Sequence, residues 1–230
     1  MPFSGFDERL AEVRARIAEA IRRGGHGQEV RLIAVTKMHG PDAVAEAWRA
    51  GIRDVGENKV QEALLKQPAV PLVAAAMRWH LIGHLQRNKV KQLDHFVLLH
   101  SLDSSRLADA VHEFGVARGR PMDVLVQVSV AGEETKGGFA PAEVGREAER
   151  LRALTGVRVM GVMTMAPFEA EEAALRCVFQ GARTARGVLA SAGHPARELS
   201  MGMSGDYAIA IEEGATMVRL GTVLFGARAT

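Results

Sequence analysis

Cysteine is almost absent from this 230-residue chain: Cys177 stands alone, so no disulfide can close within it. That suits a reducing compartment, and the expectation is a cytoplasmic protein. Long apolar runs are missing too, since none approaches the roughly 18–20 residues that cross a bilayer. The opening residues Met1 to Arg9 carry acids and no apolar stretch, so no secretory signal is expected. An excess of one charge is lacking: 29 basic residues face 27 acidic ones. That balance gives no electrostatic footprint for nucleic acid and no support for a membrane role. No linker rich in proline, glycine or serine interrupts the chain, and residues 1–230 read as one domain. Lysine is scarce, with only Lys37, Lys59, Lys66, Lys89, Lys91 and Lys136 among the basic residues. An ammonium in an unusual place therefore invites the question of what a guanidinium could not do there.

What is present is ordinary globular composition, 47% hydrophobic and 24% charged. An opening helix is predicted over 7–23, where Leu10, Val13, Ile17 and Ile21 recur at helical spacing before Gly24-Gly25. Eight strands are predicted over 31–36, 52–55, 78–82, 96–100, 122–130, 156–163, 197–200 and 216–220. Helical patterns lie between most of them: 41–50, 57–65, 104–116, 141–151 and 169–191. Asp103-Ser104-Ser105 offers N-cap oxygens for the fourth helix of the chain. Eight strands alternating with helices is the count of an α/β (β/α)8 TIM barrel, with one extra N-terminal helix. An open doubly wound sheet would carry GxGxxG after its first strand; here that strand runs into Thr36-Lys37-Met38-His39-Gly40-Pro41.

In a barrel the carboxyl ends of the strands open onto the site. Lys37 follows the first strand, so its amine would face that mouth, partly desolvated and able to form a Schiff base with an aldehyde. A solvated lysine opening a loop would read the same. The loops after strands seven and eight are where barrels hold phosphate. Ser204 reads as the N-cap of a helix over 206–213, and Gly221-Thr222 adds amides and a hydroxyl. Ordinary caps and turns use the same residues; paired with Lys37, they describe a site for a phosphorylated aldehyde. Arg219, at the end of strand eight, could meet a carboxylate, a heteroaromatic nitrogen, or an internal acid such as Glu57. Glu57 and Asn58 follow strand two, as ligand contacts or helix caps. His80 and His84 are four apart, the first on a predicted strand and the second just past it, and not on one helix, with no glutamate between them, which argues against metal. Lys136 sits in a glycine-flanked loop and reads as solvated. Met160, Met163 and Met165 read as core, and Cys177 lacks a nearby histidine.

Taken together these stretches resemble the pyridoxal phosphate homeostasis proteins, which are similar to the barrel domain of alanine racemase. The resemblance runs through Ala34 to Lys37, Gly56 to Glu62, Trp79 to Lys89 and His100 to Asp103. It continues through Gly132 to Gly138, Gly161 to Met165, Leu199 to Ser204 and Val218 to Thr222, with Phe225-Gly226. It implies that Lys37 holds pyridoxal 5'-phosphate (PLP) covalently, that Ser204, Gly221 and Thr222 hold its phosphate, that Arg219 faces the pyridine nitrogen, and that Asn58 lies beside the cofactor. Two departures mark the first block, where the family reads Ser-Lys-Thr-Lys-Pro: His39 replaces a second lysine, and Gly40 precedes Pro41. Lys136 matches a family lysine and offers a secondary aldehyde site.

A guanidinium stays protonated and donates to the ring nitrogen, leaving a poor electron sink. The related racemases take a tyrosine base from a further domain and a partner subunit, whereas Tyr207 is the only tyrosine here. The resemblance therefore implies a carrier that buffers PLP and delivers it to apo-enzymes, with no established catalytic activity; a chain of this size can bury a barrel core alone, so a monomer is expected. A low-activity amino-acid racemase, with Tyr207 or His80 as second base, is the alternative. A cofactor-free aldolase acting on a sugar phosphate is a third reading.

Overall fold

In the computed structural model, which describes residues 3–132 and 137–226, strands and helices succeed one another along the chain. The strands are β1 (Arg31–Val35), β2 (Asp54–Glu57), β3 (Arg78–Leu81), β4 (Leu98–Leu102), β5 (Met122–Gln127), β6 (Val157–Met163), β7 (Glu198–Ser200) and β8 (Met217–Leu220). Each pairs in parallel with its sequence neighbours, and β8 returns to β1 with Arg219 opposite Ile33, closing an eight-stranded barrel. The expected (β/α)8 barrel is thus the fold observed. The helices are α1 (Phe6–Gly24), α2 (Pro41–Arg49), α3 (Val60–Lys66), α4 (Ser105–Ala117), α5 (Val144–Arg152), α6 (Glu172–Ser191), α7 (Tyr207–Glu212) and α8 (Thr222–Phe225). Only β3 departs from the alternation, being followed by a 3-10 stretch, Arg87–His95, that buries Val90 and Leu93.

Two apolar regions result. A large shell lies between strands and helices, and a small cluster of Ile33, Leu98, Leu125, Met163 and Met217 lies inside the barrel. Met163 is buried in that inner cluster, with Met160 and Met165 packed against it, as expected of core methionines. The extra helix α1 buries Phe6, Leu10, Val13, Ile17 and Ala20, and its end is capped by Gly25, whose N–H donates to Ile21 O. It braces the last elements of the chain. Arg9 Nε donates to Leu224 O at 2.8 Å, Phe6 packs on Phe225, and a Cβ at Gly24 would meet Glu212 O at 2.7 Å.

Boundaries shift where apolar residues serve a cap rather than a strand. The second strand was expected to start at Ile52, but Gly51 turns the chain with φ of 85° and Ile52 N–H closes back on Ala47 O. β2 consequently begins at Asp54 and carries Glu57, which the pattern had assigned to a helix. β4 likewise runs two residues later than expected.

Candidate functional site

A cavity of about 650 Å³ opens at the carboxyl ends of the strands, a size suited to a cofactor. Lys37, Asn58, Ser204, Arg219, Gly221 and Thr222 all line it, so the six residues singled out in the sequence converge on one space. Each is delivered by a different kind of local structure. Lys37 sits two residues past β1, in the turn before α2, and its side chain is exposed. The amine was expected to be partly desolvated; instead it stands at the open mouth, and among the described residues no ion pair engages it.

Asn58 does not cap α3, whose flanking residue is Lys59. It is held by close backbone packing: a Cβ on Gly83 would lie 2.3 Å from Asn58 O, so only glycine lets the loops after β2 and β3 touch. Ser204 is not the cap of α7 either. Asp206 occupies the capping position, and its Oδ1 accepts from Met203 N at 2.5 Å. Ser204 Oγ instead accepts from Val223 N at 3.3 Å, in the first turn of α8, where amides have no intrahelical acceptor. The hydroxyl thereby ties the loop after β7 to the Gly221-Thr222 corner after β8.

Arg219 lies deep, only 5% exposed. Its Nη1 donates to Ser200 Oγ at 2.7 Å and its Nη2 to Thr164 O at 3.0 Å. The internal pairing with Glu57 does not occur. Glu57 Oε1 accepts from Lys66 Nζ at 2.7 Å and from Thr36 Oγ1 at 2.5 Å, while Lys66 also donates to Thr36 O. This buried clamp fixes the backbone immediately before Lys37. Burial pushes the Glu57 carboxyl up even though Lys66 and Thr36 donate to it. Burial also draws the Arg219 guanidinium down to about 10, against a weak pull from Asp206, so it remains charged at neutral pH.

The arrangement is an exposed amine, an immobilised guanidinium edge and a cluster of hydroxyls and amides around one cavity. That donor set fits an aldehyde, a heteroaromatic acceptor and a phosphate respectively. Sequence reasoning missed three further wall residues: His84, Asp103 and Gln127, with His84 Nδ1 and Asp103 Oδ2 2.7 Å apart. The alternation itself was the available signal, because all three follow or end strands. His80 points elsewhere: it lines a second cavity at the amino-terminal mouth of the barrel, so His80 and His84 do not converge. His39 packs beside Phe225, at 5.1 Å between ring centroids, rather than lining the upper cavity. Tyr207 is buried with its hydroxyl unpartnered among the described residues, and is not a wall residue. Cys177 is exposed on α6, and Lys136 lies outside the described residues.

The family model for the N-terminal domain of alanine racemase matches residues 9–229. Pyridoxal phosphate homeostasis proteins of Aquifex aeolicus and Pseudomonas aeruginosa are each 42% identical to the chain, cover 96% of it, and are themselves covered to 97% and 95%. The chain belongs to this family. PipY of Synechococcus elongatus, solved with PLP bound, superimposes with a TM-score of 0.83 at 37% identity, over 96% of this chain and 100% of PipY. D-threonine aldolase from Filomicrobium marinum shares the barrel fold alone, at 18% identity and a TM-score of 0.75, over 99% of this chain and 63% of the aldolase. No helix among the described residues is long and apolar enough to cross a membrane.

Proposed function

We propose that the whole chain, residues 1–230, works as one PLP-binding barrel that buffers the cofactor in the cytoplasm and hands it to apo-enzymes. The observation that carries this reading is the convergence of Lys37, Arg219 and the Ser204–Gly221–Thr222 cluster on one cavity, in a family whose member PipY has been solved with PLP. The Lys37 amine condenses with the cofactor's aldehyde, losing one water and forming a carbon–nitrogen double bond, the Schiff base. Arg219 donates to the ring nitrogen, Ser204, Gly221 and Thr222 receive the phosphate, and Asn58 flanks the ring. When bound, the cofactor supplies an electrophilic carbon and a conjugated ring; the protein sets how readily they leave. Exposure of Lys37 favours exchange, because an acceptor's amine can approach the same carbon from solvent. Neither Tyr207 nor His80, the bases a racemase would require, lines the cavity, which favours the carrier over the racemase.

The visible spectrum of the PLP-loaded protein, wild type beside Lys37→Ala, tests the assignment. A yellow band is expected in the wild type and its loss in the variant, with borohydride fixing the cofactor to Lys37. A wild type that stays colourless after addition of PLP would overturn the reading. Stoichiometric transfer to an apo-enzyme, faster than uptake of free PLP, separates the carrier from a racemase, which would instead exchange the α-proton of an amino acid into deuterated water.

A further inference from the structure

Beneath Arg219 the barrel interior holds, beside the apolar cluster of Ile33, Leu98, Leu125, Met163 and Met217, a column of polar side chains where such interiors are usually packed with branched aliphatic ones. Ser200 Oγ, which accepts from Arg219, is 2.9 Å from His100 Nδ1, and His100 Nε2 is 3.0 Å from His80 Nδ1. His80 Nε2 is in turn 2.9 Å from Asp54 Oδ1, and Arg78 holds both oxygens of Asp54 through Nε at 2.8 Å and Nη2 at 2.6 Å. His80, His100 and Ser200 are each no more than 1% exposed. The bond from β4 to β7 crosses the interior, so the column runs from the upper cavity to the lower mouth.

The chemistry of the end groups gives the column one direction. A carboxylate only accepts, so His80 donates from Nε2. A neutral imidazole has one donor, which leaves His80 Nδ1 to accept from His100 Nε2. His100 Nδ1 must then accept from the Ser200 hydroxyl, whose oxygen already receives an Arg219 N–H. Every donor points away from the cavity and towards Asp54. Both rings are kept neutral by burial, and the hydrogen bonds from His80 and Arg78 outweigh burial to hold Asp54 at about 2.

We propose that Ser200, His100 and His80 are positioning residues, a one-way hydrogen-bond relay that links Arg219 to the Asp54 carboxylate and holds its guanidinium edge against the ring nitrogen of the bound cofactor. Among the described residues no carboxylate pairs directly with Arg219, and the aligned dipoles of the relay transmit to it the stabilising influence of the Asp54 carboxylate. Packing alone does not account for the column, because aliphatic side chains of similar volume would fill it without the cost of desolvating five polar groups. The inference rests on the assignment of Arg219 to the ring nitrogen.

Two measurements test it. Nitrogen-15 NMR of the cofactor-free protein should find both His80 and His100 neutral with the proton on Nε2; an Nδ1–H tautomer or a charged ring in either would overturn the relay. With PLP loaded, Ser200→Ala should shift the visible band and speed cofactor release about tenfold while Lys37 stays trappable by borohydride, and Ser200→Thr should restore the wild-type rate. An unchanged spectrum and release rate in Ser200→Ala, with wild-type protein loading normally, would overturn the relay alone. A wild type that takes up no PLP would overturn both the relay's role and the assignment beneath it, and the colourless sample distinguishes that failure from the other.

Discussion

Lys37 and Arg219 stand at opposite extremes of exposure within one cavity wall. The amine is exposed and reaches the mouth from a turn, while the guanidinium is sunk in the barrel with two of its donors already committed to Ser200 and Thr164. Both were found in the sequence because their chemistry is unusual for their position, a lysine in an arginine-rich chain and an arginine ending an apolar strand. Their surroundings were not legible: Glu57, Lys66 and Thr36 are joined only once the register sets Val35 opposite Gly56. The buried imidazoles make a residue-scale prediction with a defined sign. Their folded pKa values lie below the ordinary 6.5, burial being the largest cause. Below that pH the unfolded chain binds more protons than the native one, so stability is complete above about 6.5 and falls as the solution is acidified. Linkage sets the loss at no more than about 1 kcal/mol per ring between roughly pH 6.5 and 5.5. Asp54 adds a separate loss only as pH falls below about 4 towards its folded value of about 2. Urea midpoints at pH 7.5, 6.5 and 5.5 measure this, and a flat profile across that range would contradict neutral buried rings.

At the scale of elements, the barrel was legible because each strand is a short apolar run bounded by an amphipathic helix. What escaped was where loops touch. Ser204 has the composition of a helix cap, yet it serves α8 rather than α7, since Asp206 already accepts from Met203 N–H. No spacing rule within one segment anticipates a bond between residues 204 and 223. The same is true of Gly83, which reads as a turn glycine but is needed for its lack of a side chain against Asn58. Gly83→Ala places a methyl 2.3 Å from a backbone oxygen that cannot rotate away, so the loops must part. Destabilisation of about 1–3 kcal/mol is expected from such overpacking. PLP affinity should fall with it, because Asn58 moves with its backbone. Thermal melts and a PLP titration of the same sample check both; a variant with unchanged melting and affinity would show that the contact is easily relaxed.

For the whole molecule, closure of the barrel brings residue 37 beside residues 219–222, the two ends of a long chain meeting through the β1–β8 ladder. α1 then clamps α8 from outside through Arg9 and Phe6, so the Gly221-Thr222 corner is stiffened by a helix that contributes nothing to the cavity wall. A ligand bridging Lys37 and that corner ties the first strand to the last and binds the native state alone. Mass action then stabilises the fold by about 2.7 kcal/mol at a hundredfold excess over Kd, which for a chain of this length raises the melting temperature by roughly 5–11 °C. Lys37→Ala should keep part of that rise, because the phosphate and ring contacts survive loss of the covalent bond. Pyridoxal without its phosphate should give little of it. Scanning calorimetry with PLP, pyridoxal and inorganic phosphate separates these contributions. If pyridoxal stabilised the wild type as much as PLP does, Ser204, Gly221 and Thr222 would not be the groups that hold the cofactor, and the closure of the barrel would serve the covalent bond alone.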